Sequence, residues 1–266
     1  MDYTKIKMDL VDGVAVITLS DPATMNAAGV DTAAELTDAF RRVATGAVAA
    51  RAIVLTGEGR GFCSGANLSA GAGATLDADG KPDAGRALET HYNPLVTLMR
   101  DSDVPIVTAV NGAAAGVGCS LALMGDIVVA AESSYFLQAF RRIGLVPDGG
   151  ATYLLPRLIG KARSVELSLL GEKLPAEKAL AWGLINRVHD DAVLMDEAMK
   201  LAHELANGPT IALSLIRKLY WDSSEQTFEE QLNHEFESQR YAGASEDFKE
   251  GVTAFLEKRP AKFKGK

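Results

Sequence analysis

Ile106-Val107-Thr108-Ala109-Val110-Asn111-Gly112-Ala113-Ala114-Ala115-Gly116-Val117-Gly118-Cys119-Ser120-Leu121-Ala122-Leu123-Met124 decides the fold class. The first five residues are mostly apolar and β-branched, too few for a helix, and stop at Asn-Gly; that is the composition of a buried strand. A turn of glycines and alanines follows, and Leu121 to Met124 read as helix. The same order recurs upstream and downstream. Arg51 to Thr56 (RAIVLT) is an apolar run closed by Gly57 and followed by a second glycine-rich turn, Gly59 to Leu68 (GRGFCSGANL). Ile127 to Ala131 is a third apolar run, ended by polar turn residues. Strands alternating with helices require parallel pairing, hence an α/β fold. The intervals are too irregular for a strict solenoid repeat.

Outward from this centre, Ile6 to Leu10 and Val14 to Leu19 form a predicted hairpin around Asp12-Gly13. Thr32 to Val43 has the pattern of an amphipathic helix. Ser69 to Arg86 (SAGAGATLDADGKPDAGR) is made of Gly, Ala, Asp and Pro and reads as a lid or a disordered loop. From Ala192 onward the pattern is helical. Thr227 and Glu230 form a capping box ahead of Phe228, Leu232 and Phe236. The last predicted helix opens at Ser245-Glu246-Asp247 and closes at Lys258-Arg259, with Phe248, Val252, Phe255 and Leu256 as its stripe. The expected organisation is an α/β body over 1–190 and a helical region over 191–266, too thin for a core of its own, that packs on the body or on a neighbouring subunit.

The chain has 266 residues, 47% hydrophobic and 23% charged, which is enough for a large core without staples. Its 27 basic residues against 35 acidic ones give a net charge of -8, which argues against a general nucleic-acid or anionic-membrane binder. Two cysteines, Cys63 and Cys119, show no metal-site spacing and read as buried packers. Pro105 to Gly125 is apolar, but its polar residues and glycines favour a buried strand–turn–helix over a membrane span. With no secretory leader at the start and Lys264-Gly265-Lys266 at the end, a cytoplasmic location is expected.

Chemistry is expected at the two glycine-rich turns. Small residues let a ligand reach the backbone, whose N–H groups bind an anion, and two such turns form an oxyanion hole if they converge. The plainer reading is tight turns and close packing. Gly116, Gly118 and Gly125 lack the dinucleotide-binding spacing, and there is no GxxxxGK[ST] loop.

Phe62-Cys63-Ser64-Gly65-Ala66-Asn67-Leu68 and Ala109-Val110-Asn111-Gly112 resemble, in this order and separation, the paired turns of the crotonase (enoyl-CoA hydratase/isomerase) superfamily. So do Asp21-Pro22 with Asn26-Ala27, the pattern Gly171, Leu174, Ala176, Ala179, Gly183, Leu184, and the tail from Glu250 to Lys266. The resemblance covers nearly the whole chain. It implies a crotonase-type spiral of ββα units, a C-terminal helical region that trimerises, and a homotrimer or dimer of trimers. It implies an acyl-CoA thioester as partner, coenzyme A being part of the substrate, with no other cofactor and no metal. The oxyanion donors fall on the N–H groups of Ala66 and Val117. Ser64, Gly65, Asn67, Leu68, Asn26, Ala27, Gly116, Ser120, Phe140 and Tyr92 fall around the substrate. Phe255 and Lys258 fall where a CoA contact across subunits is conceivable.

Two departures bear on the reaction. The glutamates of the hydratases fall on Ser120 and Phe140, so both usual acid/base groups for water addition are replaced. Asp148, in Gly144-Leu145-Val146-Pro147-Asp148-Gly149-Gly150-Ala151-Thr152, matches the turn where family isomerases place a single acid. Phe136 to Pro156 with His91 to Leu95 resembles the ring-epoxide isomerase branch of phenylacetate breakdown and the single-acid enoyl-CoA isomerases. As residues alone, Pro-Asp-Gly-Gly is equally a turn or helix cap; the resemblance favours a base. Ser120 either holds water or substrate, or is a small packing residue. Arg141-Arg142 reads as a solvated pair. The expected activity is acyl-CoA isomerisation, with two rivals: enoyl-CoA hydration, and a non-enzymatic acyl-CoA-binding or RNA-binding family member.

Overall fold

β1 (Ile6–Val11) and β2 (Val14–Leu19) form the expected antiparallel hairpin. Asp12 and Gly13 turn it with φ of 46° and 81°, the left-handed pair that matches strand twist. The computed structural model describes residues 3–67 and 76–266. After the hairpin come α1 (Val30–Ala44), β3 (Ala52–Gly57) and β4 (Gly61–Cys63). A short helical turn α2 (Gly85–Ala87) leads through Leu88–Tyr92 into α3 (Asn93–Arg100). Next are β5 (Ile106–Val110), β6 (Ala113–Ala115), α4 (Val117–Leu123), β7 (Ile127–Ala131) and β8 (Tyr135–Leu137). α5 (Ala151–Leu170), β9 (Leu174–Pro175), α6 (Ala176–Trp182) and β10 (Arg187–His189) complete the strand-bearing part. The chain ends in α7 (Leu194–Ala206), α8 (Thr210–Asp222), α9 (Phe228–Gly243) and α10 (Glu246–Leu256).

The strands build two sheets. The larger runs β1-β2-β3-β5-β7-β10 and the smaller β4-β6-β8-β9. Each pass of the chain, β3 then β4, β5 then β6, β7 then β8, leaves one strand in each sheet, and helices separate the passes. This is the expected spiral of ββα units. Apart from β1 against β2 and β8 against β9, the neighbours are parallel. Parallel strands are buried on both faces, which explains the uninterrupted apolar runs. Along β3, Ile53 and Leu55 join the core under α1 and α3, while Ala52 and Val54 join a second core on the opposite face.

The first helix of the 191–266 region packs on that second core. Leu194, Ala198, Ala202 and Ala206 of α7 recur every four residues and pack against Val14, Val54, Val107 and Val129. α7 therefore covers the outer face of the larger sheet. α8 is pinned by Arg217, whose buried guanidinium donates to Asp126 Oδ2 at 2.6 Å and to the Met99 and Ser102 carbonyls. Asp126 in turn accepts from the Ile106 N–H at 2.7 Å.

The capping box of Thr227 and Glu230 is present. The last helix stops at Leu256, earlier than expected, because Lys258 adopts a left-handed φ of 55° and Arg259 pairs back onto Glu250. Phe228, Phe236, Phe248, Phe255 and Leu256 are all exposed. The Arg141-Arg142 pair is not merely solvated: both guanidiniums donate to the carbonyls of Leu169, Leu170 and Gly171 that end α5. The first part of the expected lid lies outside the described residues. From Leu76 the segment is a small hairpin, bridged Leu76 to Pro82 and held by Asp77, which accepts from the N–H groups of Asp79 and Lys81.

Candidate active site

β3 and β5 end side by side, so the two glycine turns that follow them lie at the same end of the larger sheet. They meet through backbone alone. A side chain on Gly65, which has φ of 107°, would put its Cβ 3.1 Å from the Ala115 carbonyl oxygen. One on Gly116, with φ of 54°, would stand 3.8 Å from both the Gly65 Cα and the Phe140 ring. Gly118 has no room for a methyl either, since its Cβ would lie 2.4 Å from the Cys63 carbonyl. These glycines are thus required by close approach and by left-handed backbone, and they let the first turn lie on the Ala115–Gly116 backbone.

Val117 is the first residue of α4, so its N–H is one of the helix's leading donors without an intrahelical partner. Among the described residues, the Ala66 N–H also meets no acceptor. The neighbouring groups of the first turn are used up. Gly65 O accepts from the Ala28 N–H at 2.8 Å, and the buried Tyr92 hydroxyl donates to Ala28 O at 2.5 Å. Ala28 is the residue that sequence reading missed. It works only through its backbone, which leaves no side-chain signal.

Several expected substrate residues turn out to hold the scaffold. Asn26 is 1% exposed, accepts from the Asp21 N–H and donates to the Glu58 and Gly61 carbonyls. It has no side-chain atom left for a ligand. Its φ of 57°, beside 53° for Met25, shows why this clamp is needed: two consecutive non-glycine residues are left-handed there. Ser64 donates its hydroxyl to Thr24 O, and the Ala27 N–H donates to Thr24 Oγ1. Asn67 lies against Gly29 at the start of α1. Leu68 lies outside the described residues. Cys63 and Cys119 are buried and free, their thiols pushed up to about 11 and about 12 by burial, so they are packers without thiolate character.

Asp148 enters from the third pass of the spiral. Phe140 to Ile143 form a 3-10 turn, and the loop after it returns to α4. Gly149, at φ of 58°, passes so close that a Cβ there would meet Ser120 Cβ at 2.8 Å and Val117 Cγ2 at 3.5 Å. The Asp148 side chain is therefore delivered beside the first turn of α4, with Phe140 buried nearby. Its Oδ1 is buried and has no hydrogen-bond partner among the described residues. Burial alone pushes the carboxyl up to about 6. Tyr92 is pushed up to about 12, first by its own burial and then by the charge of Asp148, so the two share one electrostatic environment. The carboxylate caps nothing: the N-cap of α5 is Gly150, with no side-chain bond. Ser120 donates its hydroxyl to the Asp148 carbonyl at 2.8 Å.

Among the described residues no three His, Cys, Asp or Glu side chains are grouped to hold a metal ion, and no helix is long and apolar enough to cross a membrane.

A spiral of strands paired across two sheets, with two glycine-rich turns in backbone contact, is the architecture in which comparison with known proteins places the chain. The enoyl-CoA hydratase/isomerase family model matches residues 9–266. The chain is 44% identical over 255 residues to 1,2-epoxyphenylacetyl-CoA isomerase of Escherichia coli K12, covering 96% of each chain. It is 43% identical over all 266 residues, and over the full length of both, to a probable enoyl-CoA hydratase of Rhodobacter capsulatus. The crystal structure of an enoyl-CoA hydratase/isomerase from Cupriavidus metallidurans CH34 superposes with a TM-score of 0.91 at 30% identity, covering 100% of this chain and 98% of that one. The protein belongs to the enoyl-CoA hydratase/isomerase family, the crotonase superfamily, and is an enzyme acting on an acyl-CoA thioester.

The raised carboxyl sets a stability prediction. A group whose folded pKa, about 6, exceeds its unfolded value of about 3.9 stabilises the fold fully below the lower value and loses that contribution as pH rises through the upper one. Asp148→Asn removes the cost of burying the charge. Thermal melts are expected to show the variant above wild type at pH near 7.5, with the gap closing as pH falls from about 6 to about 4. A capping aspartate would give the opposite sign, a loss of about 1 kcal/mol.

Proposed function

We propose that this enzyme isomerises an unsaturated acyl-CoA thioester, shifting a double bond from position 3 to position 2 or rearranging a ring-epoxide, with Asp148 as its proton carrier. The observation that supports this best is the unpartnered, buried Asp148 Oδ1 beside α4, with Ser120 and Phe140 at the two positions where the hydratases have acids. A water-adding enzyme needs one group to activate water and another to protonate carbon. A double-bond shift needs only one group that accepts a proton and gives it back.

In this reading the thioester oxygen accepts from the N–H groups of Ala66 and Val117. Asp148 takes the proton from C2, and the C–H electron pair passes into the thioester, giving an enolate held by those two amides. The Asp148 carboxyl then returns the proton to C4, the electrons close the double bond between C2 and C3, and the carboxylate is restored. The amides carry most of the stabilisation because the enolate oxygen carries the charge. A carboxyl near 6 is both a better base and a closer match to the enolate than an ordinary aspartate. Phe140, Val117 and Tyr92, all buried, would keep water from that exchange. The ring-epoxide variant is favoured by the name of the 44%-identical relative.

We also propose a homotrimer or dimer of trimers, supported by the exposed aromatic faces of α9 and α10. Light scattering at micromolar concentration is expected to give three or six times the chain mass; a monomer would contradict it.

For the reaction, Asp148→Asn is expected to fold, bind CoA thioesters and lose isomerisation by a factor of about 10² or more. Wild-type turnover should fall as pH drops through about 6, where the carboxylate is protonated and cannot accept a proton. An Asn variant that isomerises 3-enoyl-CoA near the wild-type rate, or a wild type that hydrates crotonyl-CoA rapidly and isomerises nothing, would overturn the assignment.

A further inference from the structure

The side chain that carries the proposed chemistry has no hydrogen bond to hold its buried oxygen, so its aim depends on the backbone beneath it. That backbone sits in a loop with residues of unusual constraint or freedom on both sides: Pro147 before Asp148, then Gly149 and Gly150 with φ of 58° and 84°. Such a loop has little local stiffness of its own. Two bonds fix the Asp148 carbonyl. One comes from the Ala151 N–H at 3.1 Å, within the same loop. The other comes from Ser120 Oγ at 2.8 Å, and Ser120 belongs to α4. Among the described residues it is the polar link that joins this loop to α4. Ser120 is fully buried, and its Cβ touches the loop at Gly149.

Ser120 lies three residues after Val117, one helical turn on, so it shares a face with the residue that supplies an oxyanion donor. A single hydroxyl thus ties the backbone of the proton carrier to the short rigid helix that bears the donor. We propose that Ser120 is a positioning residue: it fixes the Asp148 carboxylate relative to the oxyanion donors, so that C2 and C4 of the bound thioester both stay within its reach. The proposal rests on Asp148 being the proton carrier. It also explains why the space at this position offers no place for a larger acid, since Gly149 already fills it.

The test compares Ser120→Ala, Ser120→Cys and Asp148→Asn in the full-length protein, with 3-enoyl-CoA bearing deuterium at C2. Ser120→Ala is expected to melt near wild type and to hold KM within about twofold while kcat falls about tenfold, the scale for a misplaced catalytic group. Deuterium carried from C2 to C4 should decline as well, because a carboxyl free to swing exchanges with water between the two steps. Ser120→Cys, similar in size with a weaker donor, should fall between Ala and wild type, and it carries the test if Ser120→Ala fails to fold. Unchanged kcat in a folded Ser120→Ala, or a loss confined to KM or to the fraction folded, would overturn the positioning role. A fast Asp148→Asn enzyme would instead show that the proton-carrier reading had failed.

Discussion

The contact between Gly65 and the Ala115–Gly116 backbone is the constraint on which the site depends. Two strand ends in a parallel sheet lie about 4.8 Å apart, and the loops leaving them normally diverge to make room for side chains. Here each of the two loops passes through a short strand, β4 or β6; β6 then turns straight into α4 at Gly116 and the segment after β4 folds over it, which glycine at 65, 116 and 118 alone permits. Adding one methyl at Gly118 would drive it into Cys63 and push the two turns apart. The rest of the first turn serves the same end. Asn26, Ser64, Ala28 and Tyr92 spend their polar groups on backbone, so the proposed oxyanion donors stay preorganised without a side chain of their own.

Asp148 stands against that rigidity as a local cost. A buried carboxylate oxygen without a partner opposes folding at neutral pH, and the structure does nothing nearby to relieve it: the cause of the raised carboxyl is burial, with no cation or donor offsetting it. Unsatisfied polar groups of this kind concentrate where chemistry needs them. The contrast with Asp126 is instructive. That carboxylate is only partly withdrawn from solvent, and it accepts from Arg217 and from the Ile106 N–H, holding α8 on the body.

Much of the fold was legible because it rests on local patterns. Ile53 to Thr56 and Ile106 to Val110 are buried on both faces, so they read as continuous apolar runs, and the glycine turns announce themselves. α7 was harder to place. Its stripe toward the sheet is mostly alanine, which gives little hydropathy contrast, so the sequence does not mark which surface it covers. In the site, the residue types stood out but their partners did not. The side chains of Asn26 and Ser64 clamp the first turn, Arg141 and Arg142 cap α5 where a solvated pair is expected, and the link from Ser120 to Asp148 joins positions 28 residues apart. In each case the partner is a backbone carbonyl, which any residue supplies and no sequence pattern marks.

The central claim is that one carboxylate, poised between two converging amides and shielded by Phe140 and Tyr92, moves a proton within the substrate and does not add water to it. The most direct measurement is mass spectrometry of wild-type turnover in deuterium oxide, with 3-enoyl-CoA and 2-enoyl-CoA supplied separately. The expected result is a product isomeric with the 3-enoyl substrate apart from exchanged hydrogen, and no water adduct from either thioester beyond a trace. Rapid accumulation of a hydroxyacyl-CoA from 2-enoyl-CoA, with 3-enoyl-CoA left unchanged, would contradict it.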